Sequence, residues 1–297
     1  MKKISVIFLF LILFNFNSAL SQTVIEISPL FEYPVAPDGM ESLEDRCNFI
    51  VKNFWDKFDF KRKDAIDQYA LNEAFGVYAS TMRYASRKVV DQSVDKLLGK
   101  LSSNPGLQLQ FSKAAEENLY GPRADFWSDD LYLKFLDSLI KNKKIKDSRK
   151  SRFINQANSI RGSEVGNTAP SFEFTDKDGG LKNYFPMSTP TVIIFGDPTD
   201  TDWKIARLKM ESNLKFRDAV DKGKINVLYI LPTEVDNWQQ NVANYNSHWT
   251  IGKSSTVSDN YDTRLNPSIY VVGSDGKISK KFPTLFEAME TVLESVN

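Results

Sequence analysis

One short stretch, residues 190–210, constrains the fold more than any other part of the sequence. Residues 191–195 (TVIIF) form a continuous apolar run rich in β-branched side chains, which is typical of a strand buried on both faces of a sheet. Acceptor side chains in residues 197–202 (DPTDTD) then precede a helical pattern, which predicts a helix N-terminus. The apolar residues at helical spacing are Trp203, Ile205, Ala206, Leu208, Met210 and Leu214. This order predicts an α/β sheet with a binding site at the turn.

The rest of the second half supports the same sheet. Residues 172–181 contain two apolar segments around an Asp-Lys-Asp-Gly-Gly turn, which predicts a hairpin. Further strands are predicted over 225–231, 268–272 and 277–282, and helices over 235–245 and 284–296. A strand, a helix, a strand, a hairpin and a last helix follow one another, as in a sheet with right-handed crossovers.

The first half has helical periodicity almost throughout. In residues 41–58 the apolar side chains form one stripe that includes Cys47, and acidic residues fill the first turn. Further helices are predicted over 72–85, 88–101, 105–120, 129–141 and 146–160. Gly166 and Pro170 then interrupt the helical pattern, which places a domain boundary near Arg161. The sequence therefore predicts an all-α domain over residues 22–160 and an α/β domain over residues 161–297.

The N-terminus predicts export. Lys2 and Lys3 precede an apolar run over residues 4–14, and small residues at 19 and 21 define a cleavage site before Gln22. The run is shorter than the roughly 20 apolar residues of a membrane span, so residues 1–21 are interpreted as a secretory signal peptide. After cleavage we expect no membrane span and a location in the periplasm or cell envelope.

Composition excludes one class of partner and makes the cysteine count informative. The formal net charge is zero, and no Lys/Arg cluster is interleaved with aromatic residues, so no nucleic-acid partner is expected. Exported proteins often contain disulfides, but Cys47 is the single cysteine in 297 residues. No internal disulfide can form.

Three segments of the second half resemble thioredoxin-like proteins of the redoxin type. Phe195-Gly196-Asp197-Pro198 resembles the end of the strand that leads into the C-x-x-C motif. The V-G-x-x-A-P-x-F segment from Val165 is similar to the start of redoxin domains. The Y-D-x-R-x-x-P-S-I-Y-V-V segment from Tyr261 resembles the one that contains the family's cis-proline. The resemblance therefore implies a thioredoxin-like domain with a cis bond between Asn266 and Pro267.

Two segments of the first half resemble a helical domain of unknown function. They are D-R-x-x-F-I-V-x-N-F-W-D-x-F-D-F, from Asp45 to Phe60, and N-L-Y-G-P, from Asn118 to Pro122. In exported proteins of Gram-negative bacteria this helical domain precedes a thioredoxin-like domain. The resemblance implies no activity for it.

The resemblance places the two motif cysteines at Asp200 and Trp203, and neither residue is a cysteine. Thiol–disulfide exchange needs one thiolate to attack and a second thiol to resolve the mixed disulfide. Cys47 lies on an apolar stripe of the other domain, where we expect a structural role. We therefore assign no catalytic residue, cofactor or metal ligand and predict a non-enzymatic protein.

The resemblance also implies a surface that survives the loss of the cysteines. In the family, the motif turn and the cis-proline loop accept an extended peptide through backbone hydrogen bonds, a form of strand addition. We predict that an extended peptide or an envelope protein binds here, with Trp203 as an anchor; the alternative is that Trp203 turns inward and leaves no groove. The predicted binding residues are Asp197, Pro198, Asp200, Thr201, Asp202, Trp203, Leu265, Asn266 and Pro267.

Two other functions stay open at this point. A thiol–disulfide oxidoreductase or peroxide-handling protein could act through Cys47 with partner thiols, which requires an exposed thiol of low pKa. A metal-binding module could use Asp197, Asp200 and Asp202 as oxygen ligands for a hard cation such as Ca²⁺, although their spacing is not that of an EF-hand. We favour a redox-inactive protein-binding or scaffold role in the cell envelope.

Overall fold

A computed structural model describes residues 29–296, so the predicted signal peptide over residues 1–21 lies outside the described part. Residues 29–162 form a helical domain, and residues 163–296 form a sheet domain with helices packed on it. The expected class, an all-α domain followed by an α/β domain, is confirmed.

Helix starts in the helical domain follow the capping side chains of the sequence. Ser42 accepts a hydrogen bond from the Asp45 N–H, and Asn104 accepts one from the Leu107 N–H ahead of Pro105 at the first helical position. The helices are α1 (Leu43–Asn53), α2 (Gln68–Met82), α3 (Arg87–Leu101), α4 (Pro105–Ala115), α5 (Asp129–Lys141) and α6 (Ser151–Gly162). The prediction for residues 129–141 matches α5 at both ends.

Helix α4 does not run unchanged to residue 120 as predicted. After Ala115 the chain continues as a π-helical turn, Glu116–Tyr120, which closes with the Gly121 N–H donating to the Glu116 carbonyl at 2.7 Å. Single π-helical turns are rare and occur frequently at functional sites. This turn ends in the N-L-Y-G-P segment.

The sheet domain contains one mixed seven-stranded sheet. Its strands are β1 (Phe172–Asp176), β2 (Leu181–Tyr184), β3 (Thr191–Phe195), β4 (Asn226–Leu231), β5 (Thr250–Lys253), β6 (Ser268–Val272) and β7 (Ile278–Lys281), in the spatial order β2-β1-β5-β4-β3-β6-β7. Strand β4 is parallel to β3 and β5, and the other pairs are antiparallel. Strand β3, which lies between β4 and β6, is buried along its whole length, as its apolar run predicts.

Helices of the sheet domain differ in part from the prediction. They are α7 (Thr201–Ser212), α8 (Leu214–Asp221), α9 (Trp238–Asn241) and α10 (Leu285–Val296). The predicted helix over residues 235–245 is too long, since only Trp238–Asn241 is helical. Asn237 before it has a left-handed backbone, and turns follow it, although Trp238, Val242 and Tyr245 are all buried. The prediction also contained no strand at β5.

The apolar residues at helical spacing after residue 202 do not all lie on one buried face. Trp203 and Met210 are buried, but Ile205, Leu208 and Leu214 are at least half exposed. The reason is that residues 203, 206 and 210 lie on one side of α7, whereas residues 205 and 208 lie on the other. The helix then ends at Ser212, and Asn213 caps α8 by accepting from the Phe216 N–H.

The two domains meet without a flexible connection. A side chain at Gly162, the last residue of α6, would place its Cβ 2.9 Å from the carbonyl oxygen of Asn260, so only hydrogen fits there. The next residue, Ser163, is fully buried and accepts a hydrogen bond from the Asp262 N–H at 3.2 Å. The end of the helical domain is therefore fixed directly on the sheet domain.

Candidate functional site

The candidate site lies where β3 ends, in a motif turn that we define as residues 196–203. The Asp197 side chain accepts from the Thr199 N–H at 2.7 Å and from its hydroxyl at 2.6 Å. Asp200 is the N-cap of α7 and accepts from the Trp203 N–H at 2.7 Å. An acidic cap of this kind is favoured by the free N–H groups and the dipole of the helix. The Asp200 side chain therefore fixes the start of α7.

A cis-proline loop, residues 262–267, lies beside the motif turn. The peptide bond between Asn266 and Pro267 is cis, as the resemblance implied. The Asp197 N–H donates to the side-chain oxygen of Asn266 at 2.9 Å. A Cβ at Gly196 would lie 3.3 Å from the Pro267 Cβ. The motif turn and the cis-proline loop thus form one continuous surface, and residue 196 has little room for a side chain.

Trp203 does not lie on this surface, so its prediction as a binding anchor is wrong. The side chain is fully buried, and its ring stacks on Tyr229 with a centroid distance of 5.1 Å and an interplanar angle of 9°. Its indole N–H donates to the Tyr245 hydroxyl at 2.9 Å. The apolar ring gains more from burial, and the single N–H finds an acceptor inside the core. The inward orientation that the sequence left open is the one observed.

The other predicted binding residues differ in exposure. Asp202, Thr201 and Asn266 are exposed, whereas Pro198 is buried. Asp197, Asp200, Leu265 and Pro267 are intermediate. The exposed part of the surface is therefore formed by polar and acidic groups around Asn266 rather than by an aromatic anchor.

A metal site at the acidic turn does not hold on this geometry. Asp197 and Asp200 direct carboxylate oxygens at N–H groups of their own turn, and Asp202 lies one residue into the helix. Within residues 29–296, no group of three or more His, Cys, Asp or Glu side chains could hold a metal ion. A hard cation such as Ca²⁺ needs six or more converging oxygens. The alternative of a cation-binding module loses its support.

Cys47 is buried on α1 in the helical domain. Burial raises the pKa of its thiol, and the adjacent Arg46 lowers it by less. A nucleophilic cysteine needs the opposite: partial exposure and a lowered pKa. No observation favours an oxidoreductase that acts through Cys47.

We expect Cys47 in the folded protein to react with a thiol-specific reagent at least about a hundredfold more slowly than in the unfolded chain, because both burial and a raised pKa suppress the thiolate. Labelling with Ellman's reagent at neutral pH, with glutathione as the reference for a free thiol, measures both rates. Equal rates for folded protein and glutathione would contradict the structural role and restore the oxidoreductase hypothesis.

A second set of functional candidates, which the sequence analysis missed, lies between the two domains. We define the interdomain cluster as Tyr120, Asp129, Asp262, Arg264 and Lys281. The Arg264 guanidinium is 4% exposed and contacts both carboxylates, and the Asp262 side chain is fully buried. The Lys281 ammonium lies 3.0 Å from an Asp129 oxygen and 3.1 Å from an Asp262 oxygen. Two cations therefore neutralise two carboxylates, of which Asp262 is buried and Asp129 is one third exposed.

The charges of the interdomain cluster keep Asp129 and Arg264 ionised and Tyr120 neutral. Burial alone would raise the pKa of Asp129, but Arg264 and Lys281 outweigh it and hold the pKa below its ordinary value. For Arg264, burial opposes the charge, and Asp262 and Asp129 still raise the pKa. Burial and the Asp262 carboxylate raise the pKa of Tyr120, so its hydroxyl remains a donor. The sequence signal for this cluster was the place of Asp262 and Arg264 in the Y-D-x-R segment and of Tyr120 in the N-L-Y-G-P segment.

No helix in the described part of the chain combines the length and apolar character that crossing a membrane requires.

Comparison with solved structures shows the same fold in other proteins. A thioredoxin-like protein from Bacteroides caccae is 18% identical and aligns over 90% of this chain and 99% of its own, with a TM-score of 0.64. The thioredoxin domain of a thiol-disulfide oxidoreductase from Bacteroides vulgatus is 19% identical over 45% of this chain and 99% of its own, with a TM-score of 0.38. A conserved protein of unknown function from Bacteroides fragilis is 20% identical over 44% of this chain and 99% of its own, with a TM-score of 0.41. The alignment with the Bacteroides caccae protein shows that the sheet domain is thioredoxin-like in fold.

Sequence comparison identifies the helical part. No curated protein is significantly similar to the chain. Residues 15–163, half of the chain, match a family described as a domain of unknown function, DUF5106. The chain therefore belongs to the DUF5106 family, with a thioredoxin-like domain after the family's helical region.

Proposed function

We propose that the chain is an exported, redox-inactive thioredoxin-like protein of the cell envelope that binds an extended peptide segment of a partner protein. The proposed contact surface consists of the exposed part of the motif turn and the cis-proline loop. Asp200 and Trp203 stand where the redox pair would be, and neither side chain can exchange disulfides. The role is therefore one of binding rather than of catalysis.

The observation that carries this proposal is the state of the Asn266 backbone. Asn266 is exposed, and its side chain is fixed by the Asp197 N–H. Its own backbone N–H and C=O make no hydrogen bond to any residue of the described chain. Strand addition of an extended peptide requires a backbone donor and acceptor that are left unpaired on an exposed residue. Asn266 offers both groups next to the motif turn.

Charge and apolar exposure indicate what kind of peptide would fit. Asp197, Asp200 and Asp202 make the surface acidic, which favours a peptide with Lys or Arg. Ile205 follows Asp202 on the same side of α7, and Ile205 and Leu208 are about half exposed beside an open depression of about 460 Å³. The preferred partner segment is therefore extended, basic and followed by an apolar residue.

Selection from a display library of random nine-residue peptides tests this proposal with the full mature chain. We expect enriched peptides to contain Lys or Arg followed by an apolar residue. Their affinity, measured by fluorescence anisotropy, should fall about threefold to thirtyfold in an Asp200→Asn, Asp202→Asn variant, since each of the two lost charge contacts is worth about 0.3–1 kcal/mol. The first change keeps an N-capping side chain, so the fold is preserved.

The matched control is Asp178→Asn, which removes an exposed carboxylate in the β1–β2 hairpin and should leave affinity unchanged. Insulin disulfide reduction should be no faster with the wild type than with Cys47→Ser. Failure to enrich any peptide, equal loss of affinity in the Asp178 control, or reductase activity that depends on Cys47 would each contradict the proposal.

A further inference from the structure

Two sequence motifs that the proposed binding surface does not use meet at the interdomain cluster. Tyr120 belongs to the N-L-Y-G-P segment of the helical domain, and Asp262 and Arg264 belong to the Y-D-x-R segment of the sheet domain. The Tyr120 hydroxyl donates to an Asp262 carboxylate oxygen at 3.1 Å. The Arg264 guanidinium donates to the Tyr120 carbonyl at 3.1 Å and lies 4.0 Å from the centre of its ring. One residue of the helical domain thus makes three different contacts with the start of the cis-proline loop.

Asp129 adds a second contact from the helical domain. It lies at the start of α5, where the helix dipole favours a carboxylate, and it accepts from Arg264 and from Lys281 of β7. Arg264 therefore bridges Asp129 of one domain and Asp262 of the other. Because Arg264 is nearly inaccessible, a lost partner cannot be replaced readily by water.

The loop that carries the proposed peptide contact has three paired backbone N–H groups, one of them bonded to Asp262 of the cluster. The Asp262 N–H donates to Ser163, and the Arg264 N–H donates to the Asp262 carboxylate at 3.3 Å. The Leu265 N–H donates to the Ser268 hydroxyl at 3.0 Å, which donates in turn to the Leu265 carbonyl at 2.8 Å. Asn266 is the next residue, and its backbone groups are the ones left unpaired. The loop backbone is thus paired up to Leu265 within the sheet domain and open at Asn266, whereas the contacts from the helical domain reach the Asp262 and Arg264 side chains.

Unusual backbone surrounds the cluster on both sides. On the helical side, Tyr120 is the last residue of the π-helical turn. On the sheet side, Phe282 has a left-handed backbone with a φ of 56°, and its ring lies 5.3 Å from the Arg264 guanidinium and 6.3 Å from the Trp127 ring. Such conformations persist when the surroundings determine them, and they are concentrated at functional sites.

We propose that the helical domain acts as a clamp on the cis-proline loop, with Tyr120 and Asp129 holding Arg264 so that Asn266 is presented in one fixed position. This assigns a role to the DUF5106 region: it positions the loop of the domain that follows it. Tyr120, Asp129 and Arg264 are positioning residues and do not touch the partner. The consequence for peptide binding rests on the proposed function, whereas the mechanical role of the clamp does not.

Native-state hydrogen exchange on the full mature chain tests the clamp. In Asp129→Asn, we expect the Arg264 and Leu265 amides to exchange at least about tenfold faster, since a hydrogen bond to a charged group is worth about a factor of ten or more. Amides of β3 should keep their wild-type rates. Tyr120→Phe, which removes only the hydroxyl, should accelerate the same two amides by a smaller factor. Asp129→Glu should restore most of the protection.

The matched control is Asp130→Asn, one residue along α5, whose carboxylate contacts Ser128 and Arg87 of the helical domain and not the loop. It should leave the exchange of Arg264 and Leu265 unchanged. Unchanged loop amides in Asp129→Asn would overturn the clamp. Equal acceleration of the loop and of β3 would also overturn it, because that result reports global destabilisation alone.

The failure of the clamp and the failure of the proposed function give different results. If the wild type selects a peptide, Asp129→Asn should weaken its affinity about tenfold, because the loop must then be ordered on binding. If the wild type selects no peptide, the proposed function fails, and the exchange rates still decide the clamp. If a peptide binds and its affinity is the same in Asp129→Asn, the clamp is overturned and the proposed function stands.

Discussion

Replacing Trp203 with alanine is expected to lower the free energy of unfolding of the sheet domain by about 3–5 kcal/mol, the usual cost of removing a fully buried Trp side chain. The indole contributes the stacking contact with Tyr229 and donates the hydrogen bond to Tyr245. Its loss leaves a cavity between α7 and the sheet and a buried hydroxyl that lacks its N–H donor. Urea unfolding followed by far-UV circular dichroism measures the change.

Two further variants separate the contributions at this position. Trp203→Phe keeps an aromatic ring over Tyr229 and removes the N–H donor, so it should cost about 1–3 kcal/mol. Ile205→Ala, two residues further along the same helix but half exposed, should change stability by no more than about 0.5 kcal/mol. A loss below about 1 kcal/mol in Trp203→Ala would mean that the indole is not a core residue.

The expected instability of Trp203 variants also affects any attempt to introduce a cysteine pair at this turn. Changing Asp200 and Trp203 to cysteine would remove the helix cap and the core indole together. We therefore expect the double variant to be destabilised before any disulfide chemistry can be measured. Residue 203 thus has a structural role in the core of the sheet domain.

Arg264→Ala is expected to have an effect of similar size, about 3–5 kcal/mol, because it leaves the buried carboxylate of Asp262 without its main partner. Asp262 is fully buried and would keep only Lys281 and Tyr120 of its side-chain partners within the described chain. Thermal and urea unfolding of the full chain measure the loss, and separate fluorescence and circular dichroism transitions should show whether the domains unfold apart.

The control for Arg264 is an arginine in an exposed ion pair. Arg161 donates to Asp137 at 2.7 Å, and both side chains are substantially exposed, so Arg161→Ala should cost less than about 1 kcal/mol. Equal and small effects of the two substitutions would show that Lys281 alone neutralises the carboxylates, and the clamp would then lose its central residue.

Local sequence patterns predicted those helices and strands whose side chains share the same surroundings along the whole segment. The apolar run of β3 is buried on both faces, so its composition identified it directly. The double aspartate at the start of α5 and the N-cap at Asp200 identified helix starts. The short strand β5 gave no such signal, because it has only four residues and pairs with one strand on each side.

The candidate site was predicted less well, for two physical reasons. Apolar residues lie on both sides of α7, and periodicity alone could not decide that Trp203 faces inward while Ile205 and Leu208 face outward. The interdomain cluster joins Asp129 to Lys281 across 152 positions and consists of charged residues, which sequence patterns assign to solvent. Only the meeting of the two domains brings these charges together, with Asp262 and Arg264 buried.

This charge arrangement has an evolutionary consequence. Because Asp129 in one half balances cations at 264 and 281 in the other, neither half can change its charge at the junction without a compensating change in its neighbour. A chimera that joins this helical half to the thioredoxin-like half of a relative should fold well only when the relative has both cations at the corresponding positions. The two halves are thus expected to be inherited as a matched pair rather than exchanged as independent modules.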